Sequence, residues 1–590
     1  MLDITLYENN YNIIDSNLSD SNVGARKHKN IRNHSFIING IINDTVVSKK
    51  KSVDLAILDY RQCFDALAVD LTLNDLYEVG INNDHFNLMK ECDAKSLIAV
   101  KTPFGLTERI QVNDIVAQGE VPSSLKCTIT VDSISKSQQE DLKDHQYKYK
   151  GSVYVPTLGM VDDQIGISEC GLDSAVSTAH LNAQTNIKKL QFGANKCHKI
   201  HIGGNKIVCP KNTIDTWTSV KSKENVSSVF EMIVAEGNKH FIESVENSSY
   251  LRDIIQSNGK INLNIKARTD KGRGAVNQIS QLLDNLCLGK YHFEAANILR
   301  ASLLLSSLIS NSESWYNVTG KDIINLEAID ELLLRKIFFA HSKTPKEMLY
   351  LESGNIPIRF ILKARRLNFL WYILNEDKES LIHSFFKAQC DKPVRGDWVA
   401  SVKNDLEDLC IDMDFESIKN TSKLAFQKLV KEKIRIKAFH YLVQLQQTHN
   451  KSKNVKYEEL KLQCYLTPKN EMTIKEKSFV FAARTRMIDV KGNFKQGKSD
   501  ILCRKCSIED EEQSHLLSCQ ALSDQGIVNS NHLPKYDDLF SQNPLKIEAI
   551  GRILMQKYQL LITTMCTDIS CAADNTDTQQ AVDTVLSDLD

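Results

Sequence analysis

VYVPTLGMVDDQIGI, residues 153–167, is the stretch from which the rest of the chain can be read. An apolar run, 153–161, leads up to Asp162-Asp163, and Ile165 and Ile167 alternate with Gln164 and Gly166 beyond them. A period of two marks a half-buried strand. The segment therefore reads as a β-hairpin with two carboxylates at its tip. Upstream, Val53, Leu55 and Ile57 alternate in a second strand-like run that ends at Asp59. If the two strands are neighbours, three carboxylates meet at one end of a sheet. Hard divalent cations take such oxygen ligands, with phosphate and water completing the shell, and paired cations clamp the attacking and leaving oxygens of a phosphoryl transfer.

Outward from these strands, Phe64, Leu67 and Leu71 have helical spacing and predict a helix over 64–79 with Gly80 as its cap. Tyr250 to Arg268 reads as a hairpin around Asn258-Gly259. From 275 to 450 the pattern is mostly helical, as in Ile323 to Ala340 and Ile356 to Leu374, with Trp315, Trp371 and Trp398 as core anchors. Residues 1 to about 206 alternate short apolar runs with helical patterns, as α/β or α+β units do, and the resemblance given below implies α+β. The expected segments are 1–270, a helical 271–450, a 451–566 region, and an acidic, disordered tail over 567–590.

Neither a basic-then-apolar leader nor an apolar run of membrane-spanning length is present in the sequence, which points to an intracellular, non-secreted protein in the nucleus or cytoplasm with no membrane partner. The fifteen cysteines then read as reduced thiols. The net charge of −1 excludes a uniformly basic nucleic-acid binder, so positive surface must be local. It is local: Arg26 to Arg32 (RKHKNIR), Asn186 to Lys206 and Lys260 to Arg273 are basic stretches that flank the carboxylates.

Cys503, Cys506, His515 and Cys519 form C-x2-C-x8-H-x3-C. The first pair makes a tight knuckle and the second pair lies one helical turn apart, so all can surround one tetrahedral Zn²⁺. Glu509 to Glu512 lie inside this loop and would repel phosphate, which favours a structural zinc.

The order of motifs over residues 16 to 270 resembles the reverse transcriptase of non-long-terminal-repeat (LINE-like) retrotransposons. SDSNVGARKHKNIR (19–32) resembles the fingers motif, which implies Arg26 and Lys27 as contacts of nucleotide phosphates or template. DYRQCFD (59–65) resembles the first palm motif, with Asp59 as metal ligand and Phe64 as the steric gate against a 2′-hydroxyl. AQGEVPSSL (117–125) resembles the motif whose Gln118 and Gly119 line the template and nucleotide pocket. MVDD (160–163) resembles the aromatic-x-Asp-Asp box, with Met160 in the aromatic's place and Asp162 and Asp163 as further ligands. LQFGANKCHKIHIG (190–203) resembles the next palm motif, with Lys196 as proton donor to pyrophosphate. In the resembling primer-grip hairpin, Arg252 takes a place usually held by glycine.

The resemblance implies a right-hand polymerase palm with partial fingers, an α-helical thumb and a small C-terminal zinc knuckle. It implies an RNA-directed DNA polymerase using two Mg²⁺ ions, with an RNA template, a DNA primer and dNTPs as partners and an element-encoded or host endonuclease acting in trans. Met1 falls late in the family's fingers, as in a truncated copy of a longer element protein. A second reading stays open: a catalytically decayed or domesticated palm that binds nucleic acid or protein. For an RNA-dependent RNA polymerase, Phe64 is the opposing feature.

Overall fold

The computed structural model describes residues 2–48, 51–94, 97–111, 123–193, 196–204, 230–233, 239–449, 452, 454–494, 500–522 and 534–570. The chain is α+β and mostly helical, and among the described residues its strands lie in the first half. It divides into two compact units: Met1–Ala267 with Ser310–Asp322 and Leu362–Val430, and Arg268–Ile309 with Ile323–Ile361 and Lys431–Asp590. Among the described residues no helix is long and apolar enough to cross a membrane.

The first unit is built on a six-stranded sheet whose central strand is Ser52–Asp59. On one side it pairs antiparallel with Asp163–Ser168, and on the other with His198–Gly203. Leu158–Met160 is the edge strand beyond the former; beyond the latter come Lys239–Ser244 and then, at the other edge, Phe230–Ile233. Every residue from Val53 to Leu58 is buried, as in a strand covered on both faces. Ala56 and Leu58 pack with Cys127, Val131 and Ile134 of the helix Ser123–Asp141 and with Ala175 and Leu181 of the helix Gly171–Ile187. Asp54 is consequently in the interior, where Lys199 of the neighbouring strand pairs with it at 2.8 Å and both side chains are fully buried.

Three expected elements are realised differently. The strand expected over 153–161 is two: Val153–Val155 pairs with Tyr147–Tyr149, and Leu158–Met160 pairs with Asp163–Ser168. Pro156 lies between them, and without an N–H it cannot continue a ladder. The helix expected over 64–79 is broken into Cys63–Ala66 and Val69–Glu78, because Leu67 turns extended and is drawn into the core beneath the sheet. Gly80 follows the second helix at a φ of 98°, as a C-terminal glycine should. The hairpin expected around Asn258-Gly259 turns instead at Leu251-Arg252, joining Asn247–Tyr250 to Asp253–Gln256. Asn258-Gly259 is the bend that leads into the helix Asn262–Leu286.

Residues 310–322 and 362–430 complete the first unit. Phe36, on the helix Ile31–Val47, is ringed by Tyr316, Phe369, Phe385 and Trp398, with centroids 5.1–6.0 Å away. Trp315 and Trp398 are buried anchors, whereas Trp371 is half-buried and donates to the Thr421 carbonyl at 2.8 Å.

The second unit is helical and is pinned by two buried ion pairs. Arg300, in a π-helical turn Arg300–Leu304, pairs with Asp330 at 2.6 Å. Arg484 pairs with Glu352 at 2.8 Å, where Tyr465 donates to the same carboxylate at 3.0 Å. The acidic tail lies outside the described residues.

A candidate carboxylate cleft and a candidate metal centre

Strand pairing brings the carboxylates together. Asp59, the last residue of its strand, sits opposite Asp163, the first of the return strand, in antiparallel register. Opposed Cα atoms in such a ladder are about 5 Å apart, and Asp162 is the preceding turn residue. The turn is tight: Val161 has a φ of 58°, an outlying conformation for a β-branched residue. It is held from outside by residues 21–24. Val23 N–H donates to the Gly159 carbonyl at 3.0 Å and Gly159 N–H to the Ser21 carbonyl at 2.9 Å. Gly24 lies so close that a Cβ there would stand 2.3 Å from the Val161 nitrogen, so only glycine fits.

The carboxylates face a cleft of about 1000 Å³ lined also by Lys29, Phe64, Ser124, Lys196, His198 and the hairpin residues Ser248–Arg252. Lys196 reaches Asp59 at 3.3 Å and stays mostly exposed. Burial, then the charges of Asp162 and Asp59, push the Asp163 carboxyl up to about 6. Burial, with Asp59 close by, also raises Asp162. Carboxylate oxygens are the donor type that a hard cation such as Mg²⁺ takes, and Asp59, Asp162 and Asp163 are the cleft residues that carry them.

Of the other residues proposed from sequence, Phe64 stands in the cleft wall. Arg26 is placed elsewhere: its guanidinium is engaged by Asp15 at 2.7 Å and by the carbonyls of Ser19 and Asn22 at 2.7 and 2.9 Å. Lys27 lies over the Tyr11 ring at 4.5 Å and does not line the cleft. Gln118 and Gly119 lie outside the described residues. Spacing alone did not single out Lys29, Ser124 or His198. Lys29 belongs to the basic run already noted, and in the fold it is held by Glu376 at 3.0 Å.

In the second unit, Cys503, Cys506, His515 and Cys519 present donor atoms that all lie within 4.8 Å of one another. His515 rides on the short helix Gln513–Ser518 and Cys519 caps it. Backbone N–H groups of Glu509 and Ile508 lower the Cys506 thiol to about 6. The Glu509 carboxylate accepts from His515 Nδ1 at 2.8 Å, leaving Nε2 facing Cys506 Sγ at 3.3 Å. A carboxylate behind a histidine is the usual outer support of a zinc ligand. Glu511, inside the loop, is neutralised by Arg504 and accepts the Lys491 N–H at 2.9 Å. The donor set and its spacing fit Zn²⁺.

No protein-family model matches the chain, and no curated protein matches it. Among solved structures, similarity is found to telomerase of Candida tropicalis in complex with a TWJ fragment of telomeric RNA, at 11% identity and a TM-score of 0.29, covering 70% of this chain and 53% of that one. Telomerase of Candida albicans with the same kind of RNA fragment matches at 11% identity and a TM-score of 0.28, covering 65% of this chain and 53% of the other. The chain thus spans about half the length of these telomerase chains.

Proposed function

We propose that the chain is an RNA-directed DNA polymerase of the LINE-like retrotransposon kind, with residues 1–270 as palm and fingers. The observation that carries this reading is the register of Asp59 against Asp163, with Asp162 and Lys196 beside them in one cleft. Held by these three aspartates, two Mg²⁺ ions would make the primer hydroxyl nucleophilic and neutralise the triphosphate. The primer 3′-hydroxyl gives up its proton to solvent water and its oxygen forms a bond to the α-phosphorus of a dNTP as the bond to the bridging oxygen breaks, while Lys196 gives its own proton to the departing pyrophosphate. Phe64, in the cleft wall, is the steric gate against a ribose 2′-hydroxyl in this reading. RNA template, DNA primer and dNTPs follow as partners, and the helical segment 271–450 serves as thumb.

Primer extension by the purified chain on an RNA template with Mg²⁺ tests the reading. Extension should occur and should be lost in Asp162→Ala; a well-folded wild type that extends no template–primer pair overturns it. The cysteine–histidine cluster holds a structural Zn²⁺ in this reading. Metal analysis should find one zinc per chain, and Cys506→Ser should lose it and melt at lower temperature; a zinc-free wild type of equal stability removes the proposal.

A further inference from the structure

Phe339 stands where a helix end ordinarily takes glycine. The helix Gly320–Phe338 of the second unit closes with two bonds: Ala340 N–H donates to the Arg335 carbonyl at 2.8 Å, and Phe339 N–H to the Lys336 carbonyl at 3.2 Å. In this motif the first residue past the helix is left-handed, and Phe339 has a φ of 50°. A Cβ is disfavoured in that conformation. Burial repays little of the cost, since Phe339 is 64% exposed. A strained aromatic residue left facing solvent points to a use outside the fold.

The ring lines a groove of about 540 Å³ whose walls include Leu283, Leu332 and His292. One face of it stacks on the buried His292 imidazole, with centroids 6.3 Å and planes 22° apart. The charged residues of the groove are Arg335, Lys336 and Asp284. Both cations are held by neutral acceptors, Lys336 by the Asn277 amide oxygen at 3.1 Å and Arg335 by the His341 carbonyl at 3.0 Å. Glu331 lies within electrostatic reach of Arg335, but burial raises its carboxyl. Beside His292, the exposed Tyr291 ring has Lys290 over it at 5.9 Å. Open aromatic faces next to cations hold single-stranded nucleic acid, the bases stacking while the cations meet phosphate. Asp284 offers an acceptor to the N–H edge of a stacked base. An apolar protein segment would fill the groove and leave both cations unmatched.

We propose that this groove binds single-stranded nucleic acid, with one base stacked on the open face of Phe339 and its flanking phosphates met by Arg335 and Lys336. The site belongs to the second unit alone and does not rest on the polymerase reading. Fluorescence anisotropy of a labelled oligouridylate with the full chain tests it. Phe339→Gly should weaken binding about tenfold, the worth of one stacked base, and should raise the melting temperature by relieving the left-handed turn. Phe339→Trp should keep the affinity, and Lys336→Ala should lower the salt dependence by about one phosphate contact. A 4-thiouridine oligonucleotide should crosslink to the peptide that carries Phe339. Unchanged affinity in Phe339→Gly, or crosslinks confined to the carboxylate cleft, overturns the inference and leaves the polymerase reading standing. A fall in affinity and melting temperature together would make the ring structural and overturns it too. So does self-association of wild type that Phe339→Gly abolishes with no change in RNA affinity, since the groove is then a protein interface. A chain that binds RNA in this way but extends no primer overturns the polymerase reading alone.

Discussion

Asp163 carries the tension of the site. Its carboxyl is raised to about 6 by burial and by Asp162 and Asp59. A carboxylate whose folded pKa lies above its unfolded value weakens the fold as pH rises from about 4 through 6, and leaves it unaffected in stronger acid. Asp163→Asn should therefore stabilise the metal-free protein at pH 7 by about 1–2 kcal/mol, after allowing for solvent screening of a part-exposed site. Thermal unfolding with EDTA should show a gain of a few degrees at pH 7 that disappears near pH 4, alongside lost extension. A variant no more stable than wild type at pH 7 would mean that the carboxylates do not repel one another. At this scale the sequence was most legible: Asp59, Asp162, Asp163 and Lys196 could be singled out from motif order, and the fold brings them into one cleft. Arg26 was not, because a guanidinium in a basic run looks the same whether it faces phosphate or, as here, Asp15 and two carbonyls.

Among the elements, the Leu251-Arg252 hairpin is the one built against local preference. Both turn residues have positive φ, 46° and 72°, in a two-residue loop of the kind that favours Asn-Gly. The hairpin is kept in place by its base. Tyr250 is buried, and its hydroxyl donates to His34 Nδ1 at 3.3 Å while His34 Nε2–H donates to the Ser21 carbonyl at 2.9 Å. Burial lowers that imidazole to about 4, so it stays neutral and able to accept. Replacing Leu251-Arg252 by Asn-Gly should add about 1 kcal/mol of stability by removing left-handed strain, measured by urea unfolding. No gain, or a loss, would show that the two side chains hold the turn more strongly than its backbone resists it. The misplaced turn has a simple cause. Asn258-Gly259 is the stronger local signal for a hairpin, yet Tyr250 pairs with Asp253, and cross-strand pairing set the register.

The whole first unit depends on contacts between distant parts of the chain. Lys150, at the turn after Tyr149, meets Asp397 at 2.7 Å with both side chains essentially fully buried. Asp397 also accepts from Asn43 at 3.2 Å and from the Val394 N–H at 2.8 Å. Tyr149 stacks on Phe385 beside this pair, with centroids 3.8 Å apart. Lys150→Met, which strands a buried carboxylate, should cost about 3–5 kcal/mol, and Lys150→Met with Asp397→Leu should recover much of it. Chemical denaturation of the single and double variants measures this; a single variant as stable as wild type would mean that residues 381–408 are not needed to hold the sheet.

What the sequence determined by itself is the set of candidate residues: strands ending in carboxylates, an aromatic and a lysine at motif spacing, and a C-x2-C-x8-H-x3-C set whose donors the fold brings within 4.8 Å of one another. Such features are local or carried by short-range periodicity, which one-dimensional spacing records. Only the tertiary structure decided that Leu67 breaks its helix to fill the core, that Arg26 turns away from the cleft, that His198 enters it, and that residues 362–430 belong with the sheet. Each of those outcomes depends on which distant side chain claims a buried volume or a buried charge, and the spacing of residues along a chain carries no record of that competition.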